Sequence, residues 1–328
     1  MALQAKFRQF DEAIKLKRFD ENAELREKRD RVLTRLRDGL AKQFPSTLNR
    51  PTFTSFNQGS YDMGTGVKPL NGDYDIDVGL VFNVDISKHG PIEVKEWVYN
   101  AVKDHTTDVR FRRPCITVFY VQGGEPKYHV DLAVYAKDWT GTLHLAMGKQ
   151  HASADQRQWL TSEPQKLVEL VASKFSGDDA EQFRRVIRYL KRWKDCQFPA
   201  EGTAAPTGIG ITACALNWFA AEKSSTWNYN TYSNQTTYDD LVATTRLVER
   251  IRQNFVHTYA NGQYSDRLKV TLPVPPGNDV FARMSNQQMV EFKQRIDTLF
   301  GTLVGAGKRD ENEASVMLRK VFGDAFPA

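Results

Sequence analysis

The chain has 328 residues, 45 Lys and Arg against 40 Asp and Glu, a formal net charge of +5, and 41 % hydrophobic and 26 % charged residues. This is an ordinary soluble globular composition, with length for about two domains and a sizeable core. No run reaches the roughly 18 apolar residues of a membrane span, the opening MALQAKFRQFDEAIK holds no apolar stretch of a secretory signal, and three scattered cysteines (Cys115, Cys196, Cys214) read as reduced thiols of a cytoplasmic protein.

Residues 5–43 read as one or two helices, because Phe7, Phe10, Ile14 and Leu16, then Leu25, Val32, Leu33, Leu36 and Leu40 recur at helical spacing. Pro45 and Pro51 end that segment. From 52 to 136 the pattern turns to short β-type runs: Tyr74–Phe82 (YDIDVGLVF), Cys115–Val121 (CITVFYV) and Tyr128–Tyr135 (YHVDLAVY), the last two joined by the turn-like QGGEPK. Pro91–His105 between them reads as a helix. Residues 164–197 return to helix, PAEGTAAPTG is a loop, 209–222 is an apolar helix, and 223–238 is a Ser/Thr/Asn/Tyr-rich loop. Helices are expected again at 239–260, 286–304 and 310–322. The predicted class is α+β: residues 1–160 form an N-terminal helix and a catalytic core with a small mixed sheet, and 161–328 form a helical lobe.

The most informative window is FNQGSYDMGTGVKPLNGDYDIDVGLVF, Phe56–Phe82. On a strand, Asp75 and Asp77 project from one face while Ile76, Val78 and Leu80 project from the other. Two neighbouring carboxylates repel one another, and a hard divalent cation that keeps water for phosphate oxygens resolves the conflict. In HVDLAVY, Asp131 opposes the apolar face of Val130, Leu132 and Val134 in the same way. If the two strands are neighbours, three aspartates share one surface and suit a pair of metal ions about 3.5–4 Å apart. An isolated D-x-D is also common in turns and on exposed strands. Upstream, Gly59 and Ser60 offer a close-approach backbone and a hydroxyl of the kind that cradles phosphate, although a lone Gly-Ser is equally a simple turn. In the second half, Arg184, Arg188, Lys191 and Arg192 make a basic helical stripe, opposite the apolar Val186, Ile187, Leu190 and Trp193. The stripe suits either solvent or a triphosphate. Tyr229, Tyr232, Tyr238, Asn234 and Gln235 are candidates for base contact, and Arg110, Arg112 and Arg113 for nucleic-acid or acceptor phosphate.

The order Gly-Ser, D-x-D on a strand, then a distant strand-borne Asp resembles the DNA polymerase β-like nucleotidyltransferases. FRRVIRYLKRWKDCQ followed by APTGIGITACALNWF, with LPVPPGNDVFARMS and VFGDAFP near the end, is similar to the bacterial cGAS/DncV-like nucleotidyltransferases (CD-NTases) and their oligoadenylate synthase relatives. The resemblance covers about residues 40–328 and implies a bilobal architecture whose helical lobe completes a nucleotide-binding cleft. It implies that Asp75, Asp77 and Asp131 are catalytic and ligate two Mg²⁺ ions, for which Mn²⁺ substitutes. Gly59, Ser60, Lys191, Arg188 and Thr207 would bind the donor nucleotide; Thr207-Gly208 departs from the more usual Ser-containing pair. The implied activity is synthesis of a cyclic di- or trinucleotide second messenger from ATP or other NTPs, with cyclic triadenylate the expected product, in CBASS antiphage defence. A HORMA-domain activator and double-stranded DNA are implied partners, and a membrane is not. Transfer to a tRNA, a protein or a small molecule keeps the same chemistry with another acceptor; a non-catalytic nucleic-acid-binding protein on the same fold is the reading of a different class.

Overall fold

The alternation of apolar and polar residues in the centre of the sequence builds one mixed sheet. The structure, a computed structural model, describes residues 2–16, 23–70, 72–122, 125–199, 205–229, 232–260 and 263–328. The tip of QGGEPK at 123–124, the start of the loop after 199 and the junction at 17–22 lie outside the described residues.

In chain order, α1 (Ala2–Ile14) and α2 (Ala23–Gln43) precede β1 (Phe53–Asn57), α3 (Gly59–Asp62), β2 (Tyr74–Phe82), α4 (Pro91–Val102), β3 (Asp108–Phe111), β4 (Ile116–Gln122), β5 (Glu125–Lys137), β6 (Leu143–Met147) and β7 (Gln158–Thr161). Then come α5 (Pro164–Ser173), α6 (Gly177–Gln197), α7 (Gly208–Trp218), β8 (Lys223–Asn228), β9 (Ser233–Tyr238), α8 (Asp240–Gln253), β10 (Phe255–Ala260), β11 (Gln263–Leu268), α9 (Asn286–Ala306) and α10 (Glu311–Phe322).

The chain divides into two compact units. One holds residues 17–169 with 274–276, and the other holds residues 1–16, 170–273 and 277–328. The expected division at 160/161 therefore shifts, and α1 groups with the C-terminal half. The reason is aromatic packing: Phe10 stacks on Tyr189 of α6 at 5.3 Å and lies 5.1 Å from the Phe326 ring.

In the first unit the sheet runs β1-β2-β5-β4-β3, with β6 on β5 and β7 on β6. β2 and β5 are parallel, and the other pairs are antiparallel. Ile76, Val78, Leu80, Ile116, Val118, Val130, Leu132 and Val134 are all at most 1 % exposed. Val32, Leu36 and Leu40 of α2 and Val94 and Val98 of α4 are buried with them. The two helices cross closely, since a Cβ on Gly39 would come within 2.5 Å of Ala101. Far along the opposite face, Ala133, Tyr135 and Leu143 cluster with Phe56 and Val81. The near end of that face is left to the carboxylates.

The helical unit departs from the sequence reading in three places. Residues 164–197 are two helices, broken before Gly177, whose φ of +55° suits glycine. The expected loop at 223–238 is the hairpin β8–β9, held by cross-strand hydroxyl pairs such as Ser224–Thr237 at 2.9 Å. Its strands are exposed on both faces, so no apolar alternation marked them. The expected helix 239–260 ends at Gln253, and Phe255–Ala260 is a strand paired with β11. That run, FVHTYA, carries the β-branched and aromatic residues of a strand.

Candidate active site

The register of β2 on β5 sets the carboxylates together: Asp75 lies opposite His129, and Asp77 opposite Asp131. Because both strands alternate in phase, all four side chains leave the same face of the sheet. On the other side of β5, Thr117 of β4 is opposite Asp131, and its hydroxyl donates to Asp131 Oδ1 at 2.5 Å. The three aspartates expected from the sequence thus sit on one strand pair.

The electrostatics of this face are those of crowded acids. Burial, followed by the nearby Asp75 charge, pushes the Asp131 carboxyl above its ordinary range. His129 answers part of that charge. Its Nδ1 lies 2.9 Å from Asp73 Oδ1 and its Nε2 3.2 Å from Asp75 Oδ1. Burial opposes an imidazolium here, but the two carboxylates outweigh it and lift His129 to about 9. Tyr61 of α3, 5 % exposed, has a hydroxyl with no hydrogen-bond partner. Burial first, and then the Asp75 charge, raises its pKa.

The Gly-Ser turn is tied to the same strand. The Gln58 amide donates to the Asp77 carbonyl at 3.2 Å, and Gln58 Oε1 accepts from the Tyr135 hydroxyl at 3.0 Å. Gly59 has φ +77°, and a Cβ there would stand 2.0 Å from Asp77 Oδ2. Only glycine lets α3 start this close to the carboxylate. Ser60 follows, half-buried, with its carbonyl accepting from the Thr65 amide at 2.9 Å.

Asp75, His129 and Asp131 each offer a ligand atom, and these atoms lie within 4.8 Å of one another. Mutually repelling carboxylates, already partnered by a positive imidazole and bordered by an orphaned hydroxyl, fit a divalent cation. Asp77, turned toward Gly59, lies outside this tightest group.

In the helical unit, Lys191 and Thr207 come together at the start of α7. A Cβ on Gly208 would meet Lys191 Cε at 3.6 Å, and Thr207 Oγ1 caps the helix by accepting from the Gly210 amide at 3.1 Å. Arg188 corrects the expectation drawn from the basic stripe. It is 1 % exposed, and its Nε and Nη2 each lie 2.7 Å from an oxygen of Asp11 on α1, a bidentate pair that commits its charge inside the unit. Arg184 pairs with Glu181, while Val186, Ile187, Leu190 and Trp193 are core. Tyr229 and Tyr232 are exposed near the tip of β8–β9, and the Tyr238 hydroxyl donates to Asp179 at 2.6 Å. Arg110 pairs with Asp108 and lies over the Phe119 ring.

Sequence reading passed over His129, Asp73, Thr117 and Tyr61. For His129 the signal was present: it stands two residues before Asp131 and therefore on the same strand face. Asp73 and Tyr61 lie within the already singled-out window but outside the D-x-D and Gly-Ser pairs. Thr117 carried no signal, because only strand pairing brings it to Asp131.

Residues 51–135 match the family model described as the nucleotidyltransferase domain of cyclic GMP-AMP synthase DncV-like proteins. Among solved structures, the chain is similar to Vibrio cholerae DncV cyclic AMP-GMP synthase, a prokaryotic cGAS homolog, with TM-score 0.68 and 16 % identity over 98 % of this chain and 97 % of that one. The 3′-deoxy GTP-bound form of Vibrio cholerae DncV matches with TM-score 0.72 and 16 % identity over 98 % and 96 %. Its GTP-bound form matches with TM-score 0.70 and 17 % identity over 96 % and 92 %. Residues 51–135 thus match a DncV-like nucleotidyltransferase domain, and the chain shares the fold of Vibrio cholerae DncV.

Proposed function

We propose that this nucleotidyltransferase joins nucleoside triphosphates into a cyclic di- or trinucleotide. The carrying observation is the convergence of Asp75, Asp77 and Asp131 on one face of β2 and β5, beside the Gly59-Ser60 turn. The likeness to Vibrio cholerae DncV, described as a cyclic AMP-GMP synthase and crystallised with GTP, supports nucleotides as both donor and acceptor.

In the reaction, a ribose hydroxyl oxygen bonds to the α-phosphorus of a bound NTP, the α–β phosphoanhydride bond breaks, and pyrophosphate leaves in line. Asp75, Asp77 and Asp131 would hold Mg²⁺ or Mn²⁺, which would lower the pKa of the attacking hydroxyl and offset charge on the leaving group. Asp131, whose carboxyl is pushed up by burial and by Asp75, is suited to receive the hydroxyl proton. Thr117 aims Asp131 by donating to its Oδ1. Gly59 and Ser60 support the triphosphate with backbone amides and a hydroxyl. Lys191 and Thr207 stand at the start of α7 within the helical unit. Arg188 has no part in this reading.

ATP is the proposed substrate, cyclic triadenylate the proposed product and CBASS antiphage signalling the proposed context. The reading does not extend to a HORMA-domain activator or to double-stranded DNA. Incubation with labelled NTPs and Mg²⁺ or Mn²⁺, phosphatase treatment and mass spectrometry test it. A phosphatase-resistant cyclic product is expected, and label transferred to tRNA or protein instead refutes it.

A further inference from the structure

The coordination of the cation need not end with the three aspartates. His129 Nε2 lies 3.2 Å from Asp75 Oδ1, and one donor atom each from His129, Asp75 and Asp131 falls within a 4.8 Å span. Donors about 2.0–2.2 Å from a common cation stand roughly 3–4.3 Å apart, a spacing close to that of this set. We propose that His129 is a ligand beside Asp75 and Asp131, making this a mixed imidazole–carboxylate centre that prefers Mn²⁺ to Mg²⁺. The inference rests on the aspartate cluster being the reaction centre.

Two features of the surroundings support ligation over a passive ion pair. First, the ring is oriented as ligating histidines are, with its other nitrogen on a carboxylate: Nδ1 is 2.9 Å from Asp73 Oδ1. The Phe119 ring, 5.4 Å away, packs against the imidazole, whose side chain is only 14 % exposed. The Nε2 lone pair is therefore directed at the Asp75 and Asp131 oxygens once a cation takes the place of the Nε2 proton. Second, the Tyr61 hydroxyl is buried without a partner close enough to Asp75 and Asp77 to respond to their charges. A buried, unsatisfied hydroxyl calls for a missing water or ion, and water in the coordination sphere of a cation at this cluster supplies one. Asp73 thereby acquires a role distinct from its neighbours: it orients the imidazole without touching the cation.

The donor set carries the metal preference. Mg²⁺ takes oxygen donors and sheds its waters reluctantly, whereas Mn²⁺, a softer ion of the same charge, also takes an imidazole nitrogen beside carboxylate, water and phosphate oxygens.

The test is Mn²⁺ titration of the full chain followed by electron paramagnetic resonance, with pulsed spectra read for ¹⁴N coupling. The expected result is nitrogen coupling on bound Mn²⁺, with Mg²⁺ the weaker competitor for the site. His129→Gln should lose the nitrogen signal and most of that preference. Asp73→Asn, which keeps every ligand, should weaken Mn²⁺ by about 10–100-fold. Bound Mn²⁺ without nitrogen coupling in the unaltered protein overturns the proposal, as does failure to bind Mn²⁺ or an unchanged nitrogen signal in His129→Gln. Because the spectrum of the unaltered chain decides, a variant that fails to fold does not obscure the outcome. Cyclic product with no nitrogen coupling sinks this proposal alone; nitrogen coupling with label passing only to another acceptor sinks the cyclase reading alone.

Discussion

Replacing Gly59 by alanine probes Asp77 without altering a single charge. The added Cβ would stand 2.0 Å from Asp77 Oδ2 and 2.8 Å from its Cγ, distances that real side chains do not adopt. To regain ordinary contact the carboxylate must retreat by about 1 Å or more, and a displacement of that size at a reacting centre costs on the order of 100-fold in rate. The backbone term is separate: φ +77° is the left-handed region, where alanine is about 1–2 kcal/mol worse than glycine. In a unit of this size that lowers Tm by roughly 2–8 °C. Gly141→Ala isolates the backbone term, because Gly141 has φ +84° with nothing within 4 Å of its would-be Cβ. Gly59→Ala should lose at least as much Tm as Gly141→Ala by scanning fluorimetry, and only Gly59→Ala should lose cyclic product, chiefly in kcat. A Gly59→Ala protein that melts like Gly141→Ala yet keeps more than half the native rate would refute the assignment of Asp77 to the chemistry.

The double variant Asp75→Asn with Asp77→Asn should abolish product while the protein stays folded by circular dichroism; retained synthesis would overturn the carboxylate assignment. Thr117→Val removes the hydroxyl that orients Asp131, so cation affinity should fall about tenfold by calorimetry. Asp131 also sets a pH dependence. Its folded pKa is raised, so the cation-free native state holds a proton that the unfolded chain has released, and stability declines as pH rises from the unfolded to the folded value. Cation binding runs the other way, strengthening as Asp131 ionises; parallel melts with and without Mn²⁺ across the acid range should diverge upward in pH. In the helical unit, Asp240 is fully buried and accepts from Arg185, Tyr189 and Gln182. Asp240→Ala strands a buried guanidinium and should cost about 3–5 kcal/mol by denaturant unfolding.

How far the sequence reached depended on how local the governing physics is. Asp75 and Asp77 were legible because strand alternation by itself separates them from Ile76 and Val78. The same alternation exposed the partnership of His129 with Asp131, which was there to be read in HVD and was missed. Arg188 marks the opposite case. Its spacing on α6 suits a phosphate-facing stripe, but α1, far away in sequence, brings Asp11 to it and consumes its charge. The hairpin β8–β9 escaped because it is polar on both faces, so no burial pattern distinguished it from a loop.

The sequence by itself determined the strand-borne acids, the helix-rich second half and the kinship to nucleotidyltransferases, since periodicity and short motifs act within a few residues. Only the tertiary structure decided that β2 and β5 are parallel neighbours in a register that sets Asp77 against Asp131 and Asp75 against His129. It also decided that Gly59 is needed for lack of room beside Asp77, and that Thr117, from a third strand, orients Asp131. The near-balance of 45 basic and 40 acidic residues hides these local concentrations because a total carries no positions. Pairing between strands separated by some fifty residues is what turns dispersed acids into a cation-binding face.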